Sequence, residues 1–96
     1  KLGVPTAPSL VVAAAAPGGA SVTWTAAGDN GAAVSSYVVT PYLAGVAQTP
    51  NTVSGSTLSQ LITGLTPGSS YTFRVHATNS RGTGIASAPS NPVTPS

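Results

Sequence analysis

Cysteine is missing altogether, which excludes disulfides, thiol chemistry and Cys-based zinc sites. Charge is almost missing too. Only 4% of the 96 residues are charged, against about 25% in an ordinary soluble domain. Asp29 is the one acidic residue and His76 the one histidine. A single acid cannot supply the paired carboxylates of acid–base hydrolysis, and with one histidine it makes a poor metal-ligand set. The three cations, Lys1, Arg74 and Arg81, are spread along the chain. No Lys/Arg cluster stands ready for a phosphate backbone or an acidic membrane surface, so the pI near 9.5 implies neither nucleic acid nor membrane as partner. The longest apolar run, "LVVAAAA" from Leu10, is too short to cross a bilayer. No signal-peptide pattern precedes it, and the chain reads as a mature segment or an excised module.

What is present is β-strand patterning. Apolar residues make up 41%, enough for the one modest core that a single domain of this length builds. Val and Thr are plentiful and lie in alternation, which argues against disorder. "ASVTWT" puts Ala20, Val22 and Trp24 on one face, and "YTFRVHAT" puts Tyr71, Phe73, Val75 and Ala77 on one face. Tyr37 and Val39 share a face in "YVVT". This period of two indicates half-buried antiparallel strands. Turn clusters such as "APGGA", "AAGDNGAA", "TPGSS" and "NSRGTG" separate the runs, at a spacing that suits a sandwich and is too short for βαβ crossovers. Strands are expected near 8–14, 20–25, 34–40, 45–53, 57–63, 70–79 and 85–93. Four alanines before Pro17 are too few to nucleate a helix.

Read in order, several residues together resemble a fibronectin type III domain. They are Pro8-Ser9-Leu10, Trp24, Tyr37-x-Val39, the stretch Gly64-Leu65-Thr66-Pro67-Gly68-Ser69-Ser70-Tyr71, the alternation on to Asn79, and then "GTG" and "SAPSN". The resemblance covers nearly the whole chain. It implies an all-β, immunoglobulin-like sandwich of seven antiparallel strands, with sheets ABE and CC′FG. The domain would span 1–96, with its core at about 6–94 and Pro-rich linker ends. Trp24, Tyr37, Leu65, Tyr71, Phe73 and Val75 are the expected core, and Tyr71 the expected tyrosine corner, its hydroxyl returning to the backbone upstream. An immunoglobulin domain proper would carry paired cysteines and its tryptophan on strand C; here Trp24 lies on strand B.

Three departures stand out. Pro41 falls where the family often has an aromatic, and strand C is expected to end or bulge there. Gln60 lies in the inward register between Leu58 and Ile62, so it needs a hydrogen-bond partner near the sheet edge or a bulge. The FG loop has Arg81-Gly82-Thr83, and Thr83 cannot replace the metal-coordinating aspartate of the integrin-type motif.

No catalytic residue, cofactor site or metal site emerges, and the chain is not expected to be an enzyme. A nucleophile needs a base and an orienter, yet His76 points outward from mid-strand while Asp29 belongs to the BC loop. Arg74 and His76 share the outward face of strand F beside Val38 and Thr40, which reads as a solvated face on which the Arg74 stem covers apolar surface or, on the functional reading, as a contact patch for a neighbouring domain. Asp29-Asn30-Gly31 reads as turn chemistry, and Asp29 can pair with Arg81. The functional alternative is a pair of ligand loops, BC and FG, carrying Asp29, Asn30 and Arg81. Tyr42 joins these candidate ligand residues as the one aromatic expected to be exposed, and one ring makes a poor sugar platform.

The function this implies is structural: a non-catalytic spacer or accessory module of a larger exported protein, resembling the modules of secreted bacterial polysaccharide-degrading enzymes. Its partners would be flanking domains of the same polypeptide, with the domain monomeric and extracellular. The alternative is a protein- or polysaccharide-binding module acting through the BC and FG loops or the Tyr42 side of the C–C′ strands.

Overall fold

The computed structural model describes residues 3–28 and 31–96. Two antiparallel sheets face each other. The first contains β1 (Ser9–Ala16), β2 (Gly19–Thr25) and β6 (Ser59–Thr63), in the order β1-β2-β6. The second is built on β3 (Ser36–Leu43) and β7 (Tyr71–Asn79). On one side β3 pairs with β4 (Val46–Ala47) and β5 (Asn51–Ser54), and on the far side β7 pairs with β8 (Gly82–Thr83). In strand letters these sheets are ABE and C′CFG.

The alternation places the core as the period of two requires. Ala20, Val22 and Trp24 of β2 point inward, as do Tyr37 and Val39 of β3 and the odd residues of β7. Trp24 and Tyr37 meet across the two sheets, with ring centroids 5.5 Å apart and planes tilted by 57°, within the geometry favoured by aromatic quadrupoles. The Tyr37 hydroxyl accepts the Ala27 N–H at 3.0 Å. The Trp24 Nε1–H finds no hydrogen-bond partner among the described residues. Leu65 closes the core below β6, and the Thr66 N–H donates to the Tyr71 hydroxyl at 2.9 Å. This is the tyrosine corner.

Strand β3 does not end at Pro41. It runs on to Leu43, with Pro41 buried opposite Phe73. The Pro41 carbonyl accepts the Gln48 N–H at 2.8 Å. A residue's N and C=O point to the same side of a strand, so the absent N–H of Pro41 faces the sheet edge and not β7. Gln60 stays in register opposite Val22, half-buried on the edge strand, and donates to the Leu61 carbonyl at 3.4 Å.

Two expected strands come out differently. The stretch 45–53 divides into β4 and β5, with Gln48-Thr49-Pro50 between them. Ala44 and Gly45 both have positive φ, 52° and 80°, which makes a tight two-residue turn from β3 into β4. The stretch 85–93 forms only one isolated bridge, Tyr71 to Val93. Pro89 and Pro92 cannot serve a ladder, and two serines take over. Ser87 Oγ accepts the Val75 N–H and Ser90 Oγ accepts the Phe73 N–H, both at 3.0 Å. The Ser87 and Ser90 N–H groups in turn donate to the Val75 and Phe73 carbonyls at 2.8 Å.

Candidate functional site

The chain comes in and leaves at opposite ends of β7. At the Asn79 end, the buried Asn79 amide donates to the Gly3 carbonyl at 2.9 Å and the Ala32 carbonyl at 3.2 Å. At the Tyr71 end, the Pro95 carbonyl accepts the Gly68 N–H and the Ser96 carbonyl accepts the Gly18 N–H, each at 2.9 Å. Both Pro-rich ends are therefore held against the body. Pro5 and Pro95 are buried, and a Cβ at Gly84 would collide with the Pro5 carbonyl. The molecule measures 45 × 22 × 20 Å along its principal axes.

Asn79 also organises the FG turn. Its Oδ1 accepts the Arg81 N–H at 2.8 Å, so one side chain ties the FG turn, the N-terminal segment and Ala32 together. Arg81 stands exposed at the tip. The turn role of Asp29-Asn30 and the pairing of Asp29 with Arg81 lie outside the described residues.

The outward face of β3 and β7 differs from its sequence expectation. Tyr42 is not an open ring but half-buried beneath Arg74, whose guanidinium carbon lies 5.7 Å from the ring centroid. That distance is a cation–π contact. Arg74 Nη1 also donates to the Ser87 carbonyl at 3.4 Å. Arg74 stands opposite Thr40, and His76 opposite Val38. Burial lowers the His76 pKa below its ordinary 6.5, because desolvation penalises the imidazolium. Contacts with Thr66, first its side chain and then its N–H, lower the Tyr71 pKa below 10.0.

The split between β4 and β5 opens a cleft of about 260 Å³ at the sheet edge, lined by Leu43, Gln48, Asn51 and Ile62 among others and by no charged side chain. Among the described residues, no three His, Cys, Asp or Glu side chains gather as metal ligands do. No described helix is long and apolar enough to cross a membrane. The residues that sequence reasoning missed are Asn79, Ser87, Ser90 and Asn91. Three of them lie in "SAPSN", where prolines beside hydroxyl and amide groups were the available signal.

The fold and its corner define the class: a Greek-key β-sandwich of immunoglobulin-like architecture with its aromatic core on strands B, C and F. The fibronectin type III domain profile matches residues 5–94, and the chain belongs to that family. Among solved structures, it is similar to the FN1–FN3 domains of chicken CNTN1, with 25% identity and a TM-score of 0.85, covering 97% of this chain and 33% of that one. Domains A168–A170 of titin give 27% identity and a TM-score of 0.83, with 97% and 33% covered. The C. elegans twitchin kinase region gives 26% and 0.83, with 94% and 16% covered. This chain thus spans a third or less of those chains. No curated protein sequence matches it. Fibronectin type III domains occur as modules in multidomain chains and are generally non-catalytic.

Proposed function

We propose that this domain is a rigid, non-catalytic spacer in an exported multidomain protein, one that acts on carbohydrate. The observation that carries the spacer reading is the placement of its two ends. They are pinned at opposite ends of a body 45 Å long. Strand β7 alone, nine residues at ~3.3 Å each, runs about 30 Å between them. Neighbours joined directly to such ends are held apart at a fixed distance. The surface supports an exported setting: it carries few charges and is rich in Ser and Thr. The carbohydrate context rests on resemblance to the modules of secreted polysaccharide-degrading enzymes.

The test is a distance measurement. The domain is placed between two folded, spin-labelled neighbours, and pulsed dipolar spectroscopy reads the separation. A single narrow distribution is expected. A broad one means the ends act as loose tethers, and the spacer reading fails.

The exposed Arg81, fixed by Asn79 at the FG tip, favours a second reading, a binding module acting through the BC and FG loops. The isolated domain is titrated against chitin, cellulose and cell-wall fractions. Saturable retention on them that is lost in Arg81→Ala would replace the first reading with the second.

A further inference from the structure

We propose that the outward face of β3 and β7 binds a carboxylate-bearing polysaccharide, with a uronate carboxylate seated on the Arg74 guanidinium. The guanidinium is already oriented. The Tyr42 ring lies beneath it at 5.7 Å, and one N–H is turned to the Ser87 carbonyl at 3.4 Å. A guanidinium carries five N–H groups in a planar fork, so donors remain for a planar carboxylate, the partner that this fork fits. Arg74 has no ion pair among the described residues. The chain offers one acidic side chain in all. A half-buried cation so poorly supplied with counter-charge attracts anions from outside.

The surroundings select the kind of anion. A second copy of this chain brings a net +2 and a single acid, so it is repelled. A protein partner wants an apolar, aromatic centre. Here the outward side chains of β3 and β7 carry hydroxyls at Ser36, Thr40, Tyr42, Thr72 and Thr78, beside Arg74 and His76; Val38 is the one aliphatic among them, and Tyr42, covered by Arg74, the one aromatic. Hydroxyls around a fixed guanidinium match a chain that itself bears hydroxyls and carboxylates. The sheet face is extended and takes such a chain along its length. This surface goes beyond the spacer reading and is tested apart from it: inter-domain distance decides that one, and Arg74-dependent retention decides this one.

The experiment is frontal affinity chromatography of the 96-residue chain on three immobilised probes: polygalacturonate, its fully methyl-esterified form, and poly-glutamate. Retention is expected on polygalacturonate alone. Arg74→Gln and Arg74→Lys should each weaken it about tenfold or more, since a charge-assisted fork is worth at least one such factor. Near-UV circular dichroism from Trp24 and Tyr37 checks that each variant is folded. Equal weakening by Arg81→Gln would show net charge alone at work and overturn the proposal. Equal retention of the methyl ester would overturn the role of the carboxylate. Equal retention on poly-glutamate would overturn the choice of a polysaccharide.

Discussion

Trp24 carries more of the core than any other side chain of β2. It is 5% exposed, packs on Tyr37 across the sheets, and leaves its N–H without a described partner. Trp24→Ala opens a cavity that a β-sandwich cannot collapse, and the expected loss is about 3–5 kcal/mol in urea unfolding. Trp24→Phe discards the buried N–H with part of the ring, and should lose less than half as much. Near-equal losses would mean that the indole nitrogen, not the packing, matters. His76 gives the domain a simple pH response. Its folded pKa lies below 6.5, so near pH 7 and above it is neutral in both states. As the pH falls through 6.5 the unfolded chain takes up the proton first, and stability drops until the folded imidazole is protonated too. His76 is the sole histidine and Asp29 the sole acidic side chain, so His76 is the one side chain that titrates between pH 5 and 8, where the α-amino group is the other titrating group. The unfolding midpoint should be lower at pH 5 than at pH 7.5, and His76→Gln should flatten the difference. A variant as pH-sensitive as the parent would refute this assignment.

At the scale of elements, the last strand is the one the sequence disguised. Its alternation suggested a ladder over 85–93, but Pro89 and Pro92 remove two donors. The backbone of β7 still needs partners on that side, since buried N–H groups are rarely left unmet. Ser87 and Ser90 supply them, and each hydroxyl passes its own proton to the next residue's carbonyl at 2.9 Å. The double variant Ser87→Ala, Ser90→Ala strands two buried N–H groups. It should cost about 2–6 kcal/mol, at roughly 1–3 for each. Amide exchange at Phe73 and Val75 should quicken far more than at residues of β2. Uniform acceleration would mean global loss only. Asn91 does the same for the other sheet. Its Nδ2 donates to the Ala13 carbonyl and its Oδ1 accepts the Ala13 N–H, both at 2.9 Å. The amide thus replaces a neighbouring strand at an edge that would otherwise invite pairing. Asn91→Ala should lower stability by about 2 kcal/mol and raise the dimer fraction in size-exclusion chromatography at high concentration. A variant that stays monomeric would show that the edge is protected by other means.

For the whole molecule, strands with a clean period of two were legible, as were Trp24, Tyr37 and the Leu65–Tyr71 corner, because burial on one face leaves that signal directly in the sequence. Pro41 misled because its effect depends on which way the backbone nitrogen faces, and only pairing partners decide that. The candidate site was less legible. Arg74 and Tyr42 lie 32 positions apart in sequence, and the sheet register that brings Thr72 opposite Tyr42 is a property of the fold. The scarcity of charge also predicts how the molecule responds to salt. Its stability rests on apolar burial and on hydrogen bonds between neutral groups. Exposed charges farther apart than the Debye length, about 10 Å at 0.1 M, barely interact, and an isolated surface pair adds about 0–1 kcal/mol at most. Between 0.05 and 0.5 M sodium chloride, the thermal midpoint should therefore move by less than about 2 °C, which at roughly 4–8 °C per kcal/mol in a domain of this size corresponds to less than about 0.5 kcal/mol of screened interaction. Sodium sulfate at the same ionic strength should raise it, because sulfate is excluded from the surface and strengthens burial. A fall of several degrees in chloride would reveal an electrostatic contribution that three cations and one acid do not otherwise account for.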